Sequence, residues 1–327
     1  MVTAYAAAVI LKSEEKMSSF KEMLHASFKS EDTEEWLDVH FTRPIGLVFA
    51  LMWKRLGVHP NVITVLSIFL GIGAAYMFGH TDLTHNIIGV VLLMFANFCD
   101  STDGQLARLT GQKTLVGRVL DGFSGDVWFF SIYFAICVRL TCRPIPGMEQ
   151  TWGVWIWVLA FMAGVMCHSR QSSLADYYRQ IHLFFLKGKD GSELDSYATQ
   201  HDIYLSLPRR AWLARAFYYN YANYCRSQEK RTPRFQKFIK KLTNRYPRHA
   251  DMAPALREEF LNGSRPLMKY TNILTFNVRA ICIYVTCIAG IPWLYFLIEI
   301  TLMSVLYIIM HKQHESLCRR LTEKLDD

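Results

Sequence analysis

Three carboxylates and a guanidinium fall close together in this chain, at Asp100, Asp103, Arg108 and Asp121. On a helix, Asp100, Asp103, Gly104 and Ala107 are spaced i, i+3, i+4 and i+7 and share one face. Two carboxylates on such a face can bind a hard divalent cation through oxygen, and Asp121 from the next helix completes the ligand set. Mg²⁺ or Mn²⁺ suits oxygen ligands, and no His/Cys cluster lies nearby to favour zinc. Gly104 and Ala107 withdraw side chains from the same surface, so a phosphate-bearing ligand can approach the backbone. Gly117 does the same on the facing helix. Arg108 supplies a fixed fork of donors suited to phosphate oxygens.

Simpler readings account for less of the pattern. Small residues alone more often mark close helix packing. An EF-hand reading of Asp100-Ser-Thr-Asp103-Gly104 fails, because the alternating ligands and the terminal Glu are absent. Pairing Asp103 with Arg108 still leaves three carboxylates against one arginine.

The elements that must position these groups are membrane helices. The chain has 327 residues, 51% of them hydrophobic and 14% aromatic. Its apolar blocks approach the roughly 20 residues needed to cross a bilayer, and charged stretches separate them. The expected fold is an all-α polytopic membrane protein with six spans near 62–79, 84–104, 114–138, 152–172, 271–289 and 292–311. Residues 1–42 form a polar, acid-rich arm (Glu14, Glu15, Glu31, Asp32, Glu34, Glu35) expected as short surface helices. Residues 43–180 hold an interfacial helix at Ile45–Leu56 and the first four spans. His59-Pro60-Asn61 ends that helix, because proline disfavours helical geometry in the residue before it. Residues 181–268 form a basic helical insert whose aromatics (Trp212, Phe217, Tyr218, Tyr219, Tyr221, Tyr224) are expected to pack on the membrane surface. Residues 269–327 supply the last two spans and the tail, with Pro292 in the first turn of the sixth.

Charge sets the expected orientation. The loop from Gly79 to Asn86 holds no Lys or Arg, whereas the insert is rich in both, and Arg319 and Arg320 sit in the tail. The positive-inside bias puts both termini, the aspartate motif and the insert at the cytoplasmic face. The net charge of +8 is therefore read as cations flanking membrane helices beside anionic lipid, and no nucleic-acid motif accompanies it. Eight cysteines form no C-x-x-C pair, so neither a disulfide framework nor a zinc site is expected. The run Met1 to Lys12 is too short for a signal peptide, and Met17 leaves the start codon open.

The motif D-x2-D-G-x2-A-R-x8-G-x3-D, running from Asp100 to Asp121, resembles the signature of the CDP-alcohol phosphotransferase (CDP-alcohol phosphatidyltransferase) family. Members are integral membrane enzymes that build phospholipids by displacing CMP from a CDP-linked alcohol. A chance match at its seven fixed positions has a probability on the order of 10⁻⁸ per start site. The stretch Leu56-Gly57-Val58-His59-Pro60-Asn61-Val62-Ile63-Thr64 is similar to the family's P-N-x-x-T at the start of the first membrane helix. In architecture the resemblance covers about 43–180 and 266–315, and only the aspartate motif is specific. It implies two divalent ions, a CDP moiety beside Gly104, Ala107, Arg108 and Gly117, a hydroxyl acceptor and a homodimer within membrane lipid.

One departure matters. The family's fourth aspartate, a metal ligand and general base, falls four residues after the third; here that position is Gly125, followed by Asp126. On an ideal α-helix five residues turn about 500°, which leaves Asp126 about 140° from Asp121. A single-turn π-bulge would return it to the shared face, and Gly122 and Gly125 ease local distortion. Asp126 is thus expected as fourth metal ligand and catalytic base through such a bulge. A water or Ser124 in its place, or impaired catalysis, are the alternatives.

The acceptor is marked less clearly. The resemblance implies basic residues near the end of the fourth span where the acceptor is phosphorylated, so Arg170 or His168 is a candidate contact; a helix-end anchor snorkelling to lipid phosphate is the other reading. Arg279 and Glu299, inside the fifth and sixth spans, are expected to pair, with Arg279 reaching a phosphate as the alternative. The favoured activity moves a phosphatidyl group from CDP-diacylglycerol to inositol, inositol phosphate or another polyol. Headgroup transfer from CDP-ethanolamine or CDP-choline to diacylglycerol or ceramide, and a weakly catalytic membrane scaffold, are the competing readings.

Overall fold

A computed structural model describes residues 20, 22–24, 30, 32–112 and 114–325. The expectations for Glu14, Glu15, Glu31, Met1–Lys12 and Met17 lie outside these. Among the described residues the chain is helical, and one isolated bridge, Pro144 with Thr151, is the sole β pairing. Six helices among the described residues are long and apolar enough to cross a membrane, giving an all-α polytopic membrane protein.

Helix α1 (Arg43–Arg55) carries Pro44 in its first turn, where the missing N–H is harmless, and follows a π-helical turn at Asp38–Thr42. Helix α2 (Pro60–Phe78) starts behind His59, whose ring accepts from the Asn61 N–H. In α3 (Leu83–Thr110) the Asp82 carboxylate caps the His85 N–H, and the far end closes on Gly111 at φ +70°, a left-handed position that favours glycine. Thr114 caps α4 (Leu115–Thr141) through the Gly117 N–H. The start of α2, the end of α3 and the start of α4 thus lie at one end of this three-helix group. With 28 residues, α3 is about 42 Å long against a hydrocarbon core of about 30 Å. Its last turns, which carry the aspartate motif, fall near the membrane boundary.

Small residues let α2 approach its neighbours. A Cβ on Gly89 would lie 2.8 Å from the Phe78 ring, and one on Gly71 would lie 2.0 Å from Trp128 Cδ1. Trp128 is 2% exposed and donates its indole N–H to the Ser67 carbonyl at 3.0 Å. Gly71→Ala is therefore expected to push the indole off that carbonyl and destabilise the protein by about 1–3 kcal/mol, lowering the midpoint of thermal unfolding in detergent. Gly73→Ala, whose new methyl would meet Leu92 at an ordinary 3.6 Å, is the control expected to leave the midpoint in place. At the other end of the group, the buried Arg139 donates to the Phe78 carbonyl and to Asn86 Oδ1, tying α4 to the α2–α3 turn.

The chain divides into two compact units, 1–164 with 282–296, and 165–281 with 297–327. The first unit also contains α5 (Gly153–Phe161), and within it Tyr133 and Tyr295 share a hydroxyl contact at 3.0 Å. The second is built on α6 (Ser169–Lys187). It adds α7 (Tyr197–Ser206), α8 (Trp212–Arg231), α9 (Pro233–Arg245), α10 (Pro254–Ser264) and α11 (Met268–Ile273). Helices α12 (Phe276–Ile288) and α13 (Trp293–Ile298) cross the boundary in sequence, and α14 (Ser304–Lys324) closes the second unit. Its core stacks Tyr178 on His314 at 3.9 Å and Phe185 on Phe260 at 3.7 Å. Glu315 caps the start of α9 by accepting from the Arg234 and Phe235 N–H groups, a favourable place for negative charge.

The fourth and sixth spans run further than hydropathy indicated, over Gly153–Lys187 and Trp293–Lys324. Each contains a π-helical segment, at Met162–His168 and Glu299–Met303. The fifth breaks at Leu274–Thr275 before α12 begins. In the insert, Trp212, Tyr219 and Tyr224 are exposed, while Phe217, Tyr218 and Tyr221 are half-buried.

Candidate active site

The capped ends of α3 and α4 bring Asp100, Asp103 and Asp121 together, with one carboxylate oxygen from each lying within 4.8 Å of the others. Asp103 is 4% exposed and accepts a hydrogen bond from the Thr64 hydroxyl on α2. Ser124, fully buried, places its Oγ 3.0 Å from Asp100 Oδ1 and 2.6 Å from the Asp121 carbonyl. Its single proton satisfies one of these at a time. Asn61, four residues after Gly57, faces Gly117, where a Cβ would fall 3.1 Å from Asn61 Oδ1. The P-N-x-x-T stretch therefore buttresses both halves of the motif.

Arg108 folds back along α3, so that a Cβ on Gly104 would meet its Nη1 at 3.4 Å. Ala107 is half-buried beside it. The Arg108 Nε and Nη2 atoms are buried and find no hydrogen-bond partner among the described residues. Donors left in this state cost stability unless a ligand accepts from them. Three carboxylates at this separation repel one another in a partly dry setting, and their hard oxygen donors fit a divalent cation.

Asp126 does not join this group. Helix α4 is regular α-helix from Leu115 to Thr141, so the expected π-bulge is absent. Gly122 and Gly125 make a bulge inexpensive, but an unbroken ladder of i to i−4 bonds satisfies every interior backbone group without one. Asp126 lies exposed on the α4 surface between the exposed Phe123 and Phe130. Ser124, one turn from Asp121, takes the inward position instead.

His168 and Arg170 belong to the second unit. His168 Nδ1 lies 3.8 Å from Glu299 Oε1, and Arg170 is exposed, its carbonyl accepting from Arg231 Nη1 at 3.0 Å. Arg279 and Glu299 form the expected pair, Nη2 to Oε1 at 3.0 Å. The sequence marks Thr64 only as the last residue of the P-N-x-x-T stretch, and nothing in that stretch signals a contact with Asp103. Glu34 and Arg43 carried no signal beyond charge, although they form an ion pair at 3.2 Å.

Residues 57–183 match the family model described as CDP-alcohol phosphatidyltransferase. An archaetidylinositol phosphate synthase from Pyrococcus horikoshii is 32% identical over 83 residues, which is 25% of this chain and 43% of that protein. The match thus spans less than half the length of this curated relative.

Proposed function

We propose that the CDP-alcohol phosphatidyltransferase domain at residues 57–183 moves a phosphatidyl group from CDP-diacylglycerol to inositol, inositol phosphate or another polyol, releasing CMP. The observation that carries this reading is the convergence of Asp100, Asp103 and Asp121 in motif order, together with Arg108, whose buried Nε and Nη2 have no partner among the described residues. The inositol preference draws on the name of the Pyrococcus relative.

In this reading Asp100, Asp103 and Asp121 hold two divalent ions, Mg²⁺ or Mn²⁺, which when bound neutralise charge on the transferred and leaving phosphates. Arg108 turns Nε and Nη2 to phosphate oxygens. Gly104, Ala107 and Gly117 leave the CDP moiety room against the backbone. Ser124 takes the fourth position beside Asp100. Asp126 keeps the role of proton acceptor, receiving the proton of an acceptor alcohol that lies against the α4 surface. The alcohol oxygen then bonds to the β-phosphorus as the bond to the CMP oxygen breaks. Arg170 is the proposed contact for a phosphorylated acceptor. The site and both termini face the cytoplasm, and two copies pair through membrane helices.

The test is CMP release by the purified protein in lipid with Mg²⁺ or Mn²⁺, across CDP-alcohols and pooled acceptors. Release from CDP-diacylglycerol alone supports the reading. Release from CDP-ethanolamine or CDP-choline reverses the donor assignment, and no release with any donor favours the scaffold. Within the active case, Asp126→Asn is expected to lower kcat by about 10²-fold or more at unchanged donor KM. An Asp126→Asn enzyme with full kcat removes the base assignment.

A further inference from the structure

Glu34, from the arm before α1, and Arg43, the first residue of α1, meet at two points: Nε to Oε2 at 3.2 Å and Nη2 to Oε1 at 3.2 Å. Their side chains are 5% and 15% exposed. The start of α1 is fixed to the motif helix, because the Gln105 amide donates to the Arg43 carbonyl at 3.1 Å and to Ser101 Oγ at 3.2 Å. Gly46 permits that approach: a Cβ there would lie 2.9 Å from Gln105 Nε2. Ser101, Gln105 and Arg108 are spaced i, i+4 and i+7, so the start of α1 packs on the face of α3 that also carries Arg108.

Two cationic forks carried by one partly buried face favour an anion that both can reach. Here the Glu34 carboxylate meets the Arg43 fork as two phosphate oxygens would. Arg108 meanwhile has buried donors with no partner among the described residues. A pyrophosphate, with more charge and more oxygens than one carboxylate, can serve both forks.

We propose that Arg43 is a second phosphate-binding guanidinium of the donor site, and that Glu34 occupies it until the phosphates of a CDP-alcohol take its place. This rests on the CDP-alcohol reading above. The ligand chemistry is a nucleoside diphosphate, so CDP itself, soluble and lacking the alcohol, is the probe.

The experiment is calorimetric titration of CDP with Mg²⁺ into full-length protein in nanodiscs, for wild type, Glu34→Gln, Arg43→Gln and Arg43→Lys. Removing a placeholder should tighten CDP binding about 3- to 10-fold in Glu34→Gln, while Arg43→Gln should weaken it about 10-fold. Arg43→Lys, which keeps the charge without the fork, should fall between. If the pair only staples the arm, Glu34→Gln and Arg43→Gln lower the unfolding midpoint alike and leave CDP affinity unchanged, which overturns the proposal. Weaker binding in Glu34→Gln overturns the placeholder role as well. Should Arg43→Gln not fold, Glu34→Gln and Arg43→Lys still decide. A wild type that binds no CDP removes the CDP-alcohol reading itself and this inference with it; a wild type that binds, with every variant its equal, removes only the latter.

Discussion

Asp121→Asn is expected to lose CMP release by about 10³-fold while the apo protein stays at least as stable as wild type. The two halves of that result have one cause. Asp121 contributes a carboxylate oxygen within 4.8 Å of those of Asp100 and Asp103. Without a cation that proximity is repulsive, so replacing one carboxylate by an isosteric amide relieves strain. With a cation, the same substitution removes a charged ligand and weakens binding. Asp121 is the exposed member of the group, and its loss disturbs little packing. Asp103→Asn should match the activity loss, but it also alters the acceptor for the buried Thr64 hydroxyl and should cost some stability.

Thermal unfolding separates these effects. In wild type, adding Mg²⁺ or Mn²⁺ should raise the midpoint, since a ligand that binds only the folded state stabilises it by mass action. In Asp121→Asn the rise should shrink or vanish, and with chelator present the variant should unfold no earlier than wild type. An Asp121→Asn protein within 10-fold of wild-type activity, or one with the full metal-induced shift, would remove the three-carboxylate group from the reaction.

The motif was legible because its chemistry is local. Asp100, Asp103, Gly104 and Ala107 are ordered by helical spacing alone. Contacts that depend on how helices pack were not legible. Thr64 reaches Asp103, and Glu34 reaches Arg43, through tertiary placement that no periodicity encodes. The length of the fourth and sixth helices was missed for a related reason. Hydropathy falls where the bilayer ends, but polar stretches such as 169–187 and 304–324 stay helical because aromatic rings, Tyr178 on His314 among them, bury one face against other parts of the second unit. The π-bulge at Asp126 failed differently. Family spacing suggested a distortion, and Gly122 and Gly125 permit one, but permission alone does not outweigh the unbroken backbone bonding of a regular helix.

Arg279→Met is the second large effect, on stability. Arg279 is 1% exposed and Glu299 fully buried. Besides its two contacts with the carboxylate, Nε to Oε2 at 3.3 Å and Nη2 to Oε1 at 3.0 Å, Arg279 donates to the Leu274 carbonyl at 2.6 Å and to Gln171 Oε1 at 2.7 Å. The Gln171 amide in turn donates to the Glu299 carbonyl and to Ser304 Oγ, at the π-helical turn that begins with Glu299. Taking the arginine away removes the guanidinium from a buried carboxylate, leaving the more distant His168 ring at 3.8 Å, and removes the donor from two other acceptors. The expected loss is about 3–5 kcal/mol, several times that of one neutral hydrogen bond at about 1 kcal/mol. It should appear as a sharply lowered unfolding midpoint in detergent. Arg279→Met/Glu299→Leu, which discards both charges, should recover most of it, because desolvating an ion pair offsets much of what the pair contributes. A single variant as stable as wild type would show that the pair does not hold this part of the fold. The double variant also separates scaffold from ligand contact. Recovered stability with CMP release intact makes the pair structural, whereas recovered stability without release gives one of its two side chains a part in the reaction.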